Sequence, residues 1–386
     1  MHLVLARLPD APAGVKGLSL FLVPKRLLQA DGTPGTRNDV RCLSIEHKLG
    51  MHGSPTCVMS YGEESGATGW LVGEANRGLE CMFVMMNDAR FLVGVQGVGL
   101  AEMAWQHALA YARVRIQGRD ALGGQAGVPI VRHPDVKRML LDMRSRVMAT
   151  RMLAYVAAGW FDRQRHDPDR AAAQRCGRYI DLLMPVVKTW CTEQGNEVAD
   201  IALQVHGGMG YIEETGVAQL SRDARILTIY EGTTGIQAND LVLRKILREG
   251  GATLRELIGA QRGTAAALRA QAPLRALGER MDQDLDGLAR SLDWILANGA
   301  GRLGDVLGAA VPFLRQLGTV CGSWQMGRAA LAAQERRGAD AYCQGIVDLA
   351  RFWFAHHAPQ AGALGHAVRE GGAAVTAYRL ELLTQP

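Results

Sequence analysis

Near residue 78 the hydrophobic pattern changes period, and that change limits what this chain can become. Before it, the short runs "LVLARL", "GLSLFLVP", "TCVMSY" and "TGWLVG" are separated by Pro, Gly, Asp and Asn clusters, as strands are by turns. After it, apolar residues recur at helical spacing over 80–115, over 131–165 beyond the loop "GRDALGGQAGVP", and over 171–206. Pro185 lies inside the last of these. A proline there removes a backbone hydrogen bond and clashes with the preceding turn, so the pattern predicts a break at that point. Past the glycine-rich "HGGMGYIEETG" a further helix is expected over 234–249, with Ile236, Leu243, Ile246 and Leu247 on one face. A second boundary falls near 250, where "REGGATLRELIGA" opens an Ala/Arg/Leu-rich stretch that contains no lysine up to the C-terminus. The reading is a β region over 1–78, a helical segment over 79–250 and a separate helical module over 251–386, in which no fixed-period repeat is evident.

With 386 residues, 48% of them hydrophobic, the chain exceeds what one core usually fills and has ample material for two or three domains. A net charge of +5, with lysines and arginines scattered, argues against a dedicated nucleic-acid or membrane surface. The seven cysteines (Cys42, Cys57, Cys81, Cys176, Cys191, Cys321 and Cys343) include no C-x-x-C pair, so neither a zinc site nor a disulfide framework is suggested. They read as reduced thiols. "MHLVLARLPDAP" has too short an apolar run for a signal peptide, and a cytoplasmic location is expected. Residues 91–112 approach membrane-span length, but Glu102, His107, two glutamines and three glycines make a buried helix the better reading.

One acid stands out. In "RDARILTIYEGTTGIQ", Glu231 falls between Tyr230 and a Gly-Thr-Thr-Gly run that precedes a helical pattern. A carboxylate there can act as a general base in a dry pocket where backbone N–H groups face a ligand. It can equally be an ordinary first-turn acid that complements the helix dipole, and spacing alone leaves both readings open. In "QVHGGMGY", Gly207, Gly208 and Gly210 permit close backbone approach to a group such as a pyrophosphate, or simply end a helix. No strand precedes them and the spacing is not G-x-G-x-x-G, so this is not a dinucleotide fingerprint. His206 has no metal-ligand company and reads as structural; His356 and His357 read as a helix surface and end. Arg115 ends a long helix, where a cation offsets the dipole and can reach a phosphate. Asn87 and Arg90, three apart at a helix start, share a face that suits a ligand or a domain contact, and Met82, Met85 and Met86 beside them read as core filler.

Together these pieces resemble the acyl-CoA dehydrogenase family. "QVHGGMGY…SRDARILTIYEGTTGIQANDLVLRKI" is similar to that family's C-terminal signature, Q-x-x-G-G-x-G followed by R-D-x-x-x-x-x-I-Y-E-G-T. "IEHKLGMHGSPT", "NDARFLVGVQGVGLAEMAWQHALAYARVR" and "RHPDVKRMLLDM" match family segments in the right order, so the resemblance spans about residues 14–249. The remainder resembles the helical extension of a longer subgroup that includes the 3-methylmercaptopropionyl-CoA dehydrogenases. The implied fold is mainly α: a partial β-barrel-like domain, then a four-helix bundle, then a C-terminal helical extension.

The resemblance also implies a chemistry. Glu231 matches the base that takes the α-proton of an acyl-CoA thioester while FAD accepts the β-hydride. Hydrogen bonds on the thioester carbonyl, one of them from the glutamate's own N–H, would stabilise the enolate. Gly232 would leave room for the thioester and Tyr230 would line the acyl slot. Gln204, Gly207 and Gly208 match FAD contacts made across a subunit interface, Arg115 matches an arginine that reaches the flavin pyrophosphate from a partner, and Thr233 matches another flavin contact. Gly235 stands where short-chain and medium-chain members carry glutamine. Asn87 stands where some relatives carry an acid, and Arg90 is kept, both as contacts to substrate or CoA. "RIQGRD" lacks the Phe-Gly of the family's "RKQFG". A homodimer or homotetramer is implied, with electron-transfer flavoprotein as acceptor. Family members begin with an N-terminal helical domain and a flavin-contacting strand for which this sequence has no counterpart, so the chain reads as N-terminally truncated.

Two other readings carry different functions. One is a catalytically silent fragment that only oligomerises. The other is the family's DNA-damage-response branch, a non-dehydrogenase that binds DNA through a basic C-terminal module. Residues 251–386 hold 14 arginines, no lysine and 12 acids, a net of +2 that is too small for a phosphate-tracking surface.

Overall fold

The computed structural model describes residues 1–120, 123–124, 126–336 and 340–384; Ala121, Leu122 and Gln125 of the expected loop lie outside the described residues. Contacts divide the chain into two compact units, Met1–Ala89 and Arg90–Pro386.

The first unit holds seven strands, β1 (His2–Arg7), β2 (Leu18–Val23), β3 (Arg26–Leu28), β4 (Pro34–Arg37), β5 (Val40–Ile45), β6 (Cys57–Tyr61) and β7 (Trp70–Val72). They form three antiparallel ladders: a sheet in the order β1-β2-β7, and the pairs β3-β4 and β5-β6. β1 is an edge strand paired with β2 from His2↔Val23 to Arg7↔Leu18. The short strands β3 to β5, in a Gly- and Asp-rich stretch, are not evident from periodicity. Asn38, 4% exposed, ties the ladders together by donating to the carbonyls of Pro24 (2.9 Å) and Thr68 (2.8 Å) and accepting from the Thr68 N–H (2.9 Å).

Helix α1 (Gly78–Val114) follows, then α2 (Pro134–His166), α3 (Arg170–His206), α4 (Val217–Ile226) and α5 (Thr234–Asp240). α5 continues into a π-helical segment, Leu241–Leu247. Residues 252–377 add α6 (Ala252–Ala270), α7 (Arg275–Asn298), α8 (Leu303–Gly308), α9 (Ala310–Glu335), α10 (Ala341–His356) and α11 (Gln360–Ala377). The chain is therefore mainly helical, as expected. Among the described residues no helix is long and apolar enough to cross a membrane. The 91–112 run lies within α1 and buries Ala101, Ala104, Ala108 and Ala112.

α3 is the axis of the second unit. The break expected at Pro185 does not occur: one 37-residue helix runs through it, with Leu182–Thr192 buried without interruption. Packing on several sides offsets the single hydrogen bond that proline removes. α1 approaches α3 closely through glycines. A methyl on Gly97 would lie 2.9 Å from the Cys191 carbonyl oxygen, and one on Gly195 would lie 2.8 Å from that of Gly97.

The extension is not packed as a separate module. One hydrophobic cluster runs from Val98 in α1 through Trp190 in α3 to Val368 in α11, so residues 90–250 and the extension share a core. The helices α3 and α9 meet where Trp190 occupies a groove left by Gly318 and Gly322. His357 also departs from expectation. It is only 3% exposed, against Trp353 and 3.7 Å from Asp142, and burial pushes its imidazole down to about 3.

Candidate functional site

Glu231 sits on the turn between α4 and α5. Its φ is 54° and that of Gly232 is 100°, so the acid occupies left-handed backbone, a conformation that costs a non-glycine residue about 1–3 kcal/mol and needs external support. Two side chains supply it. Gln237 Nε2, from α5, donates to the Glu231 carbonyl at 3.1 Å, and Lys188 Nζ, from α3, donates to the Gly232 carbonyl at 2.6 Å. A methyl on Gly232 would lie 2.5 Å from Gln237 Nε2, so the turn needs glycine for space as well as for φ. Thr233 then caps α5, its hydroxyl accepting from the Ile236 N–H at 3.5 Å.

Lys188 is fully buried, and burial pushes its ammonium down to about 8; Glu231 opposes that shift and Arg90 adds to it. Sequence reasoning missed this residue, although a lysine inside the apolar run "MPVVKTWC" was a visible signal. Arg90 is 9% exposed and sits 3.7 Å from Asp240, which Arg244 meets at 3.5 Å. Arg90 Nε and Gln237 Oε1 are buried without hydrogen-bond partners among the described residues. Such orphaned atoms mark places that a polar ligand can satisfy. The Tyr230 hydroxyl donates to Gln96 Oε1 on α1, and burial, then Glu231, raises its pKa. Asn87 lies one turn before Arg90 on α1 and is exposed.

A second group gathers elsewhere on α3. Arg115 follows α1 directly, with its N–H on the Tyr111 carbonyl at 2.9 Å, and the Tyr111 ring stacks on His206 at 4.3 Å between centroids. His206 Nδ1–H donates to the Ala202 carbonyl (2.7 Å), a structural role. Gln204, Gly207 and Gly208 share this end of α3. Gly207 has φ 59°, and among the described residues nothing beyond the adjoining backbone lies within 4 Å of where a methyl on either glycine would stand, which leaves an open backbone surface. Lys188 and Gln204 are sixteen residues apart on one unbroken helix. At 1.5 Å per residue that separates the groups by about 24 Å along the axis. Thr233 and Gly235, from the Glu231 turn, line a cleft of 1040 Å³ that also takes in Glu193, Arg225 and Arg315. Among the described residues no cluster of metal-ligating side chains occurs.

Comparison with known proteins decides the family. Residues 76–246 match the family model described as acyl-CoA dehydrogenase, C-terminal domain, and residues 252–379 match acetyl-CoA dehydrogenase C-terminal like. The chain belongs to the acyl-CoA dehydrogenase family. A 3-methylmercaptopropionyl-CoA dehydrogenase of Ruegeria pomeroyi is 50% identical over 347 residues, 88% of this chain and 58% of that protein. FadE5, a broad-specificity linear acyl-CoA dehydrogenase of Mycobacterium tuberculosis, is 38% identical over 268 residues, 67% of this chain and 43% of that protein. The chain thus spans about half the length of these relatives. Among solved structures, ACDH-11 of Caenorhabditis elegans in complex with C11-CoA superposes with a TM-score of 0.74 at 20% identity, covering 98% of this chain and 61% of that one. An acyl-CoA dehydrogenase of Bacillus anthracis complexed with FAD gives 0.72 at 19% identity, covering 99% and 61%. At these identities the superpositions establish the acyl-CoA dehydrogenase fold.

Proposed function

We propose that this chain takes part in FAD-dependent α,β-dehydrogenation of an acyl-CoA thioester, with Glu231 as the base that removes the α-proton. The observation that carries the reading is the Glu231 turn: an acid on left-handed backbone, with its own carbonyl and that of Gly232 each held by a buried side chain. A base that must meet one C–H bond gains from such fixing, since misplacement by about 1 Å can cost a hundredfold in rate. The proton moves from the substrate α-carbon to the Glu231 carboxylate. Lys188 and Arg90, two buried cations beside the turn, favour the negative charge that develops on the thioester side as it leaves. Tyr230, anchored to Gln96, forms a wall of the acyl slot, and Asn87 and Arg90 contact substrate or CoA.

The flavin, when bound, accepts the β-hydride. The open surface over Gly207 and Gly208 fits a phosphate-bearing group that must approach the backbone, and Arg115 at the same helix end supplies positive charge. Gln204 joins that group, while Thr233 and Gly235 belong to the turn about 24 Å away. One rigid helix holds the two sets apart, which supports a site completed by a second copy of the chain: Arg115, Gln204, Gly207 and Gly208 of one copy serve the flavin beside Glu231 of the other. A homodimer or homotetramer follows from that reading, and electron-transfer flavoprotein is the acceptor the family resemblance supplies. The test is an anaerobic titration of the FAD-loaded protein with saturated acyl-CoAs. Bleaching of the visible flavin band is expected, and an unchanged band across short, medium and long chains would contradict the proposal.

A further inference from the structure

A second polar pocket lies wholly within the extension, far along the sequence from the Glu231 turn. Between α7, α9 and α11 a cavity of 150 Å³ is lined by Arg280, Asp284, Arg290, Gln316 and Arg369. Gln316 is fully buried, yet among the described residues neither its Nε2 nor its Oε1 has a hydrogen-bond partner. Leaving a buried amide unpaired costs about 1–3 kcal/mol for each group, which a chain seldom bears without return.

The surroundings of that amide are cationic. A methyl on Gly365 would lie 2.6 Å from Gln316 Nε2 and 3.2 Å from Arg369 Nη1; one on Gly287 would lie 3.7 Å from Nε2 and 3.9 Å from Arg290 Nη2. Two glycines thus leave a hollow in which the amide nitrogen sits between two guanidinium groups. Arg280 is occupied, since it meets Asp284 at 2.7 Å and the Ala358 carbonyl at 3.3 Å. Among the described residues Arg369 donates to Ser291 Oγ at 3.3 Å and has no ion-pair partner, and the Arg290 side chain has neither an ion-pair nor a hydrogen-bond partner. With Asp284 answered by Arg280, two guanidinium charges remain without a counter-charge among the described residues.

We propose that this pocket binds a small oxyanion of the phosphate class, held by Arg290, Arg369 and the Gln316 amide. Guanidinium forks match oxyanions geometrically, and the amide N–H adds a third donor. The volume equals about five waters at their liquid share, enough for a five-atom oxyanion and too little for a nucleotide. Asp284 sets the limit on affinity, because a carboxylate at the pocket wall repels an anion unless Arg280 stays with it.

Isothermal titration calorimetry of the whole chain with inorganic phosphate, at ionic strength held constant with sodium chloride, tests the proposal. Saturable binding is expected, weakened at least tenfold in Arg290→Gln and in Arg369→Gln, and weakened in Gln316→Leu. Arg290 is exposed, so its replacement keeps the test valid should the Arg369 variant fail to fold. No saturable heat beyond the chloride control, or phosphate binding unchanged in both arginine variants, would overturn it. Ordered water would then be the satisfying partner of Gln316. Neither outcome depends on whether Glu231 is a base.

Discussion

Lys188 Nζ donates a 2.6 Å hydrogen bond to the carbonyl of Gly232, tying the middle of α3 to the residue that follows Glu231. The bond reaches from a fully buried position on a helix to a turn in left-handed backbone. It holds the turn at Gly232 while Gln237 holds it at Glu231, so the carboxylate leaves a backbone fixed at both residues.

Replacing Lys188 by Met keeps the length of the side chain and removes the donor. We expect kcat to fall roughly 10- to 100-fold through loosening of the turn. The stability effect has a sign set by titration. The folded-state pKa, about 8, lies below the ordinary 10.5, so between these values the unfolded chain holds a proton that the folded chain has released. Stability contributed at this site therefore rises with pH across that window, and below about pH 8 the cost of burying the ammonium is constant. Urea melts at several pH values should show the parent gaining on the Met variant between pH 8 and 10; parallel curves would refute the assignment.

Arg115→Ala removes a charge at a helix end where no ion pair depends on it among the described residues. Stability should change by no more than about 0.5 kcal/mol. FAD retained through extensive dialysis should drop, because the phosphate loses its cation. Equal flavin absorbance in the two proteins would remove Arg115 from the cofactor site.

Gly322→Ala tests whether the extension and the bundle fold as one. The added methyl would lie 2.6 Å from Trp190 Cη2 and 2.7 Å from Trp353 Cζ2, rings too confined to move aside cheaply. A loss of about 1–3 kcal/mol is expected in denaturant melts, shared by the whole helical unit because the hydrophobic cluster is continuous. A variant in which only part of the helical signal melts early would show two folding units.

Much of the architecture was legible from periodicity and punctuation. The strand-to-helix change near 78 and the long helices stand where the pattern put them, because period carries burial directly. What failed was context. Pro185 argues for a break locally, but contacts on several sides of α3 outweigh one lost hydrogen bond. His357 reads as a helix end until tertiary packing encloses it, and the extension's change of composition at 250 conceals a core shared with α1 and α3. At the site, Glu231 was conspicuous by its neighbours in sequence. Lys188, forty-three residues earlier and surrounded by apolar side chains, becomes its neighbour only when α3 and the turn meet.

The central claim is that Glu231 is the base, and the most direct measurement is the rate of acyl-CoA-dependent dye reduction by Glu231→Gln beside the parent protein. Glutamine preserves shape and cannot take the proton. A fall of about 10²- to 10⁴-fold, with acyl-CoA binding retained, is the predicted result. Turnover within a few-fold of the parent would contradict the account.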